Sequence, residues 1–184
     1  MSKSHQTMLS KNIAIIGSGN SGKTAFFTTL TGNNAVRIPN KNIDSFTEEF
    51  EYINDKYYVF DVDNDTVEAS TIIREANVIY ALFSVKNIDS FNSINSWLYE
   101  LFFSGEDVPE WAERKQIIIC ATMVDTPNRV VMPMVTKAVK KTYYDTLPNV
   151  RYVEVSAFTG YNMNILPNYK NCVYLDEDPD DAWE

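Results

Sequence analysis

Histidine is almost missing from this chain, and that alone removes several chemistries. The single His5 sits in a polar N-terminal segment, so no histidine-based triad can be assembled and most zinc ligand sets are out of reach. Cysteine is nearly as rare. Cys120 and Cys172 are too few for the bridged framework of a small secreted domain, and no signal peptide precedes them, so a reducing, cytoplasmic setting is expected. Cys120, inside "QIIICAT", reads as a small buried hydrophobe. There is no run of Lys or Arg, and the formal net charge is -9 with a pI near 4.6. Nucleic acid and anionic membrane, which attract basic patches, are therefore not expected partners. No apolar run exceeds strand length, so no segment is expected to span a bilayer. No internal repeat is found.

What is present suits one domain. A chain of 184 residues, 45% of them hydrophobic, can bury one sizeable core and is short for two. A polar segment over 1–10 precedes a domain over 11–166. From Pro167 the chain turns polar and then acidic, ending in "LDEDPDDAWE", and this tail over 167–184 is expected to order only when a partner or a basic surface holds it. Apolar runs bounded by turn residues predict strands near 12–16, 46–53, 57–62, 77–85, 116–122 and 151–155. Helical patterns fall near 22–31, 66–75, 88–103, 130–146 and 160–166. In "IDSFNSINSWLYELFF" the stripe Phe91, Ile94, Trp97, Leu98 and Leu101 marks a packed face, with Asp89 or Ser90 available as a cap. Pro133 fits only the first turn of the fourth helix.

Alternating strands and helices predict an α/β fold with a doubly wound, six-stranded, mostly parallel sheet. One strand should run antiparallel. "SFTEEFEYI" and "YYVFDV" are separated only by "NDK", which is too short for a parallel crossover and suits a hairpin.

The chemistry concentrates in "IIGSGNSGKT", Ile15 to Thr24. Read from Gly17, it satisfies both the dinucleotide fingerprint G-x-G-x-x-G and the P-loop G-x-x-x-x-G-K-T. It follows the strand "NIAII" and opens a helix, as both motifs require. The dinucleotide reading needs an acidic residue ending the second strand about 20 positions on; Asp44 has the distance but precedes that strand. The P-loop reading accounts for Lys23 and Thr24, which the other leaves idle. The amides of Gly19, Asn20, Ser21, Gly22, Lys23, Thr24 and Ala25 would cradle phosphates at the helix N-terminus, Lys23 would reach the terminal phosphates, and Thr24 would place its hydroxyl on Mg2+. Asp61, ending "YYVFD", can hold the same Mg2+ through water. A calcium loop over "DVDND" fails at its sixth and twelfth positions, where Thr66 and Ile72 replace Gly and Glu. A D-x-D sugar-transferase site would not use the P-loop.

The pieces "GSGNSGKTA", "FDVDND", "ICATMVDTP" and "VEVSAFTGYN", in this order and supported by "LFSVKNIDSFNSINSWL", resemble the Ras superfamily of small GTPases, and within it the Rab group, over about residues 11–166. The resemblance implies a P-loop G-domain that binds GTP or GDP with Mg2+ and engages protein effectors. It aligns the family's N-K-x-D with Thr122, Met123, Val124 and Asp125, and its S-A-K with Ser156, Ala157 and Phe158. Asp125 would accept from the ring NH and amino group of guanine, a donor pair that adenine does not offer.

The chain departs from the family elsewhere. Asn42 stands where a switch threonine is expected to bind Mg2+, and Ser45 and Thr47 are out of register. D-x-x-G-Q becomes Asp61, Val62, Asp63, Asn64 and Asp65, which removes the glycine that approaches the γ-phosphate and the glutamine that orients water. Asp65 is the one candidate catalytic group left there. The Asn and Lys of the base motif, which brace the P-loop and cover the ring, are absent too, and no C-terminal cysteine is placed for a lipid anchor. Two readings stay open. One is a guanine-nucleotide-binding protein with slow or absent hydrolysis that regulates intracellular transport. The other is an assembly module whose surface docks partner subunits. A nucleoside kinase lacks a recognisable acceptor site.

Overall fold

In the computed structural model the described residues are 11–37, 48–53, 55–61, 67–103, 112, 114–131 and 149–166. They form one sheet in the order β2-β3-β4-β1-β5-β6-β7, made of β1 (Asn12–Gly17), β2 (Val36–Arg37), β3 (Glu48–Tyr52), β4 (Asp55–Asp61), β5 (Val78–Ser84), β6 (Gln116–Thr122) and β7 (Val150–Glu154). The helices are α1 (Lys23–Thr31), α2 (Val67–Glu75) and α3 (Ile88–Phe103). The fold is the expected mixed α/β sheet, mostly parallel, but it has seven strands and not six. The extra one, β2, is two exposed residues paired antiparallel with β3, and a two-residue edge strand carries no alternation to read.

The hairpin forms as expected, β3 against β4, with Tyr52 opposite Asp55. Its turn is tighter than "NDK" suggested, because Asp55 and Lys56 already belong to β4 and Ile53 takes a positive φ of 50°. β3 is consequently the strand that runs against the others.

Both faces of the central strands are buried. Along β5, Ile79, Ala81 and Phe83 belong to one core and Val78, Tyr80 and Leu82 to the other. The same alternation gives Ala14 and Ile16 against Ile13 and Ile15 in β1. This is why these strands read as continuous apolar runs. Phe26 and Phe27 of α1 join one core, whereas Ile72 and Ile73 of α2 and Phe91, Ile94 and Leu98 of α3 join the other. Each such side chain contributes about 1.5–3 kcal/mol by leaving water. With helices on both faces, the chain leaves β1 toward one side of the sheet and β5 toward the other. That reversal opens a crevice at the carboxyl ends of these two neighbouring strands.

Two local expectations are corrected. The cap of α3 is Asn87, whose Oδ1 accepts the Asp89 amide at 2.9 Å; Ser90 turns inward, donates to the Asn87 carbonyl and accepts the Ser84 amide at 2.9 Å. Of the segment 160–166, only 163–166 forms a single 3-10 turn, since Gly160 and Asn162 have positive φ values of 76° and 58°. Val130 and Val131 form a bend, and the remainder of the expected fourth helix, with Pro133, lies outside the described residues, as do both termini.

Candidate functional site

Gly17 ends β1 where no side chain fits: a Cβ there would lie 2.3 Å from Ser21 Oγ and 2.6 Å from the Leu82 carbonyl oxygen. The loop then folds back, with the Ser21 amide donating to the Ser18 carbonyl at 3.2 Å. Asn20 and Gly22 take positive φ values of 61° and 89°, which an asparagine tolerates and a glycine adopts freely. Gly22 is also the N-cap of α1, and it brings no side-chain cap. The first helical bond is the Phe26 amide to the Gly22 carbonyl at 2.9 Å. The amides of Lys23, Thr24 and Ala25 therefore precede the helical ladder, at the end of the dipole that favours an anion. Lys23 Nζ bridges the loop, donating to the Gly17 and Ser18 carbonyls at 3.0 and 2.8 Å. The hydroxyls of Ser18 and Ser21 are buried and have no hydrogen-bond partner among the described residues, unusual in a finished interior. At its far end α1 stops on Gly32, whose positive φ of 59° ends the ladder.

A second group of residues comes from β6 and from the loop after β7. Thr122 is 4% exposed, and its hydroxyl lies 2.7 Å from the Ser21 carbonyl and 3.0 Å from that of Phe83. It thus ties β6 to the P-loop and to β5. Met123 follows with a positive φ of 62°, and its Sδ accepts the Ser84 hydroxyl at 3.3 Å. Asp125 is exposed. The Ser156 hydroxyl beside it holds its carboxyl below the usual value of 3.8; desolvation opposes this, while its own amide and the charges of Lys86 and Arg129 add to it. Ser156 is fully buried and fixed, its Oγ accepting the Thr159 amide and its own amide donating to the Tyr161 carbonyl, both at 3.1 Å. Thr29 of α1 donates to the Ala157 carbonyl at 3.2 Å. Phe158 stands 92% exposed.

The two groups share one cleft of about 270 Å³, where Gly22 and Ala25 from the loop meet Thr122, Met123 and Asp125 from β6 and Ala157 and Phe158 from beyond β7. Phe26, Lys86 and Val155 line it as well. Thr24 instead lines a separate groove of about 240 Å³ between α1 and β3, with Phe27, Thr28 and Val59 among its neighbours. Asp61 ends β4 level with Gly17 in the parallel register. Asn42, Asn64 and Asp65 lie outside the described residues.

A model of the Ras family matches residues 12–167. The chain belongs to the Ras family. A search of curated proteins finds no match. As a Ras-family small GTPase domain it falls in a group that typically binds GTP or GDP with Mg2+. Its own residues are compatible with the phosphates of such a ligand: the helix end carries no side-chain cap, a lysine is anchored inside the loop, and two buried loop hydroxyls have no hydrogen-bond partner among the described residues. The segment aligned with the family's base motif retains one structural tie. Its asparagine is gone, yet Thr122 makes the brace to Ser21. Among the described residues, no helix is long and apolar enough to cross a membrane.

Sequence reasoning passed over Lys86, Thr29 and the bracing role of Thr122. Lys86 had a usable signal, since it follows a buried parallel strand at the end of the sheet where ligands gather. Thr29 had none, because its bond to Ala157 spans 128 residues.

Proposed function

We propose that this Ras-family domain binds GDP and GTP with Mg2+ and hydrolyses GTP slowly or not at all. Residues Gly19 to Ala25 would hold the phosphates, with Lys23 against the terminal ones. Thr24 and Asp61 would hold Mg2+, which neutralises phosphate charge when bound. Asp125 would read guanine, supported by Ser156, with Ala157 and Phe158 beside the base. The single observation behind this reading is the shared cleft that joins the uncapped start of α1 to an ionised Asp125. A carboxylate kept ionised and exposed suits paired N–H donors, and purine diphosphates offer such a pair only when the base is guanine. Slow hydrolysis is inferred from Asn42, Asn64 and Asp65, which replace the groups that position metal, γ-phosphate and water. A role among protein effectors in intracellular transport rests on the likeness to the Rab group.

The direct check is nucleotide extraction from the purified protein followed by chromatography. GDP or GTP is the expected content. ATP would argue against guanine reading by Asp125, and the absence of any nucleotide would favour the assembly module.

A further inference from the structure

Phe158 stands 92% exposed on a turn whose backbone is pinned on both sides of it. Before it, the Ala157 carbonyl accepts the Thr29 hydroxyl of α1 at 3.2 Å. After it, the Thr159 amide donates to the buried Ser156 Oγ at 3.1 Å, and the Ser156 amide closes the turn on the Tyr161 carbonyl at 3.1 Å. None of these bonds uses the ring. A phenyl ring left in water forgoes the gain that each core side chain of this fold collects. Phe158 does almost no packing among the described residues, yet its ring lines the cleft that also holds Asp125.

A second apolar side chain reaches the same cleft from the end of β6. Met123 is set by its positive φ of 62° and by the Ser84 hydroxyl on its Sδ at 3.3 Å, and its methyl would stand 3.5 Å from a Cβ placed on Gly22. The segments aligned with N-K-x-D and S-A-K thus each carry an apolar side chain, Met123 and Phe158, where the family pattern has lysine. A heteroaromatic base matches such walls, because it has two apolar faces to cover and a polar edge to bond. Asp125 can meet the edge, but a carboxylate cannot cover a face. We propose that Phe158 is a base-stacking residue, its ring laid on a face of the purine while Asp125 reads the edge. Affinity for the base and selectivity for guanine then come from two separate loops.

This inference rests on the reading of the cleft as a nucleotide site, and its test separates the two. Calorimetry on the full chain would compare GDP and ADP for the wild type, Phe158→Ala, Phe158→Leu and Phe158→Tyr. Stacking tolerates any base, so Phe158→Ala should weaken GDP and ADP by the same factor, about fivefold or more. Phe158→Tyr should bind like the wild type. Phe158→Leu should stay weak, because it restores bulk without a ring face. Phe158→Trp adds a spectroscopic readout: its indole emission, taken above that of the three native tryptophans, should change when GDP or ADP is added. Phe158→Ala binding GDP like the wild type, Phe158→Leu recovering full affinity, or an emission that neither nucleotide changes would overturn the proposal. A wild type that binds GDP and ADP equally would overturn the guanine reading of Asp125 but not the stacking, which the Phe158 variants decide; one that binds neither would overturn both. Because the ring is exposed and the turn is held through its backbone and Ser156, the variants should melt with the wild type.

Discussion

Thr122 places one buried hydroxyl between two carbonyls from different parts of the chain, Ser21 and Phe83. Valine has the same shape without the hydroxyl, so Thr122→Val leaves polar groups short of a partner at a cost of about 1–3 kcal/mol. Urea unfolding should show that loss with an unchanged slope. It should also show weaker nucleotide binding, because the P-loop loses its brace. Asp125 makes a pH prediction. Its folded carboxyl titrates below 3.8 because Ser156 donates to the ionised form. A depressed carboxyl keeps its contribution above its unfolded value and loses it only as pH falls through the folded one. The preference for GDP should therefore hold at neutral and mildly acidic pH and decline only as pH falls through the folded carboxyl's own value, which lies below its ordinary one. Ser156→Ala should move that decline upward, which a carboxyl NMR titration of Asp125 would show directly. The candidate phosphate loop and Asp125 were legible because each sits in a short contiguous motif. The hydroxyl brace and the Ser156 contact were not, since they join residues far apart in sequence.

Helices and strands were read well where their period was long. The expected range 88–103 coincides with α3, and the ranges for β1, β5 and β6 follow runs buried on both faces. β2 escaped because two residues have no period, and Asn87 displaced the expected caps of α3 because its side chain reaches the Asp89 amide first. Another feature invisible from pattern is the end of α2. Lys115, only 6% exposed, donates to the Arg74 and Ala76 carbonyls at 2.6 and 2.5 Å. A cation at a helix C-terminus satisfies carbonyls that the ladder leaves open. Burial pushes its pKa down, with Glu75 opposing, so the group is held at some electrostatic cost. Lys115→Met keeps the stem and removes the donors. It should destabilise the fold by about 1–3 kcal/mol, with hydrogen exchange rising first in the last turn of α2.

At the scale of the molecule, the sheet reversal beside β1 brings the P-loop and the β6 and β7 loops to one edge, which is why three distant motifs converge on a single cleft. Catalysis by such a site is mostly positioning and charge stabilisation. With Asn64 and Asp65 in place of glycine and glutamine, single-turnover GTP hydrolysis should fall below the intrinsic scale of about 10⁻⁴ per second. The check sets the wild type beside Asp65→Gln and the double change Asn64→Gly with Asp65→Gln. A wild-type rate at or above that scale, lost when Asp65 is replaced, would make Asp65 an alternative catalytic group. The central claim is simpler: one end of the cleft holds phosphate and the other reads guanine. Calorimetry of GDP and ADP on the wild type, Lys23→Ala and Asp125→Ala tests it most directly. The wild type should prefer GDP by about tenfold or more, Lys23→Ala should lose both ligands while remaining folded, and Asp125→Ala should lose only the preference. Equal affinity of the wild type for GDP and ADP, or undiminished GDP binding by Lys23→Ala, would contradict it.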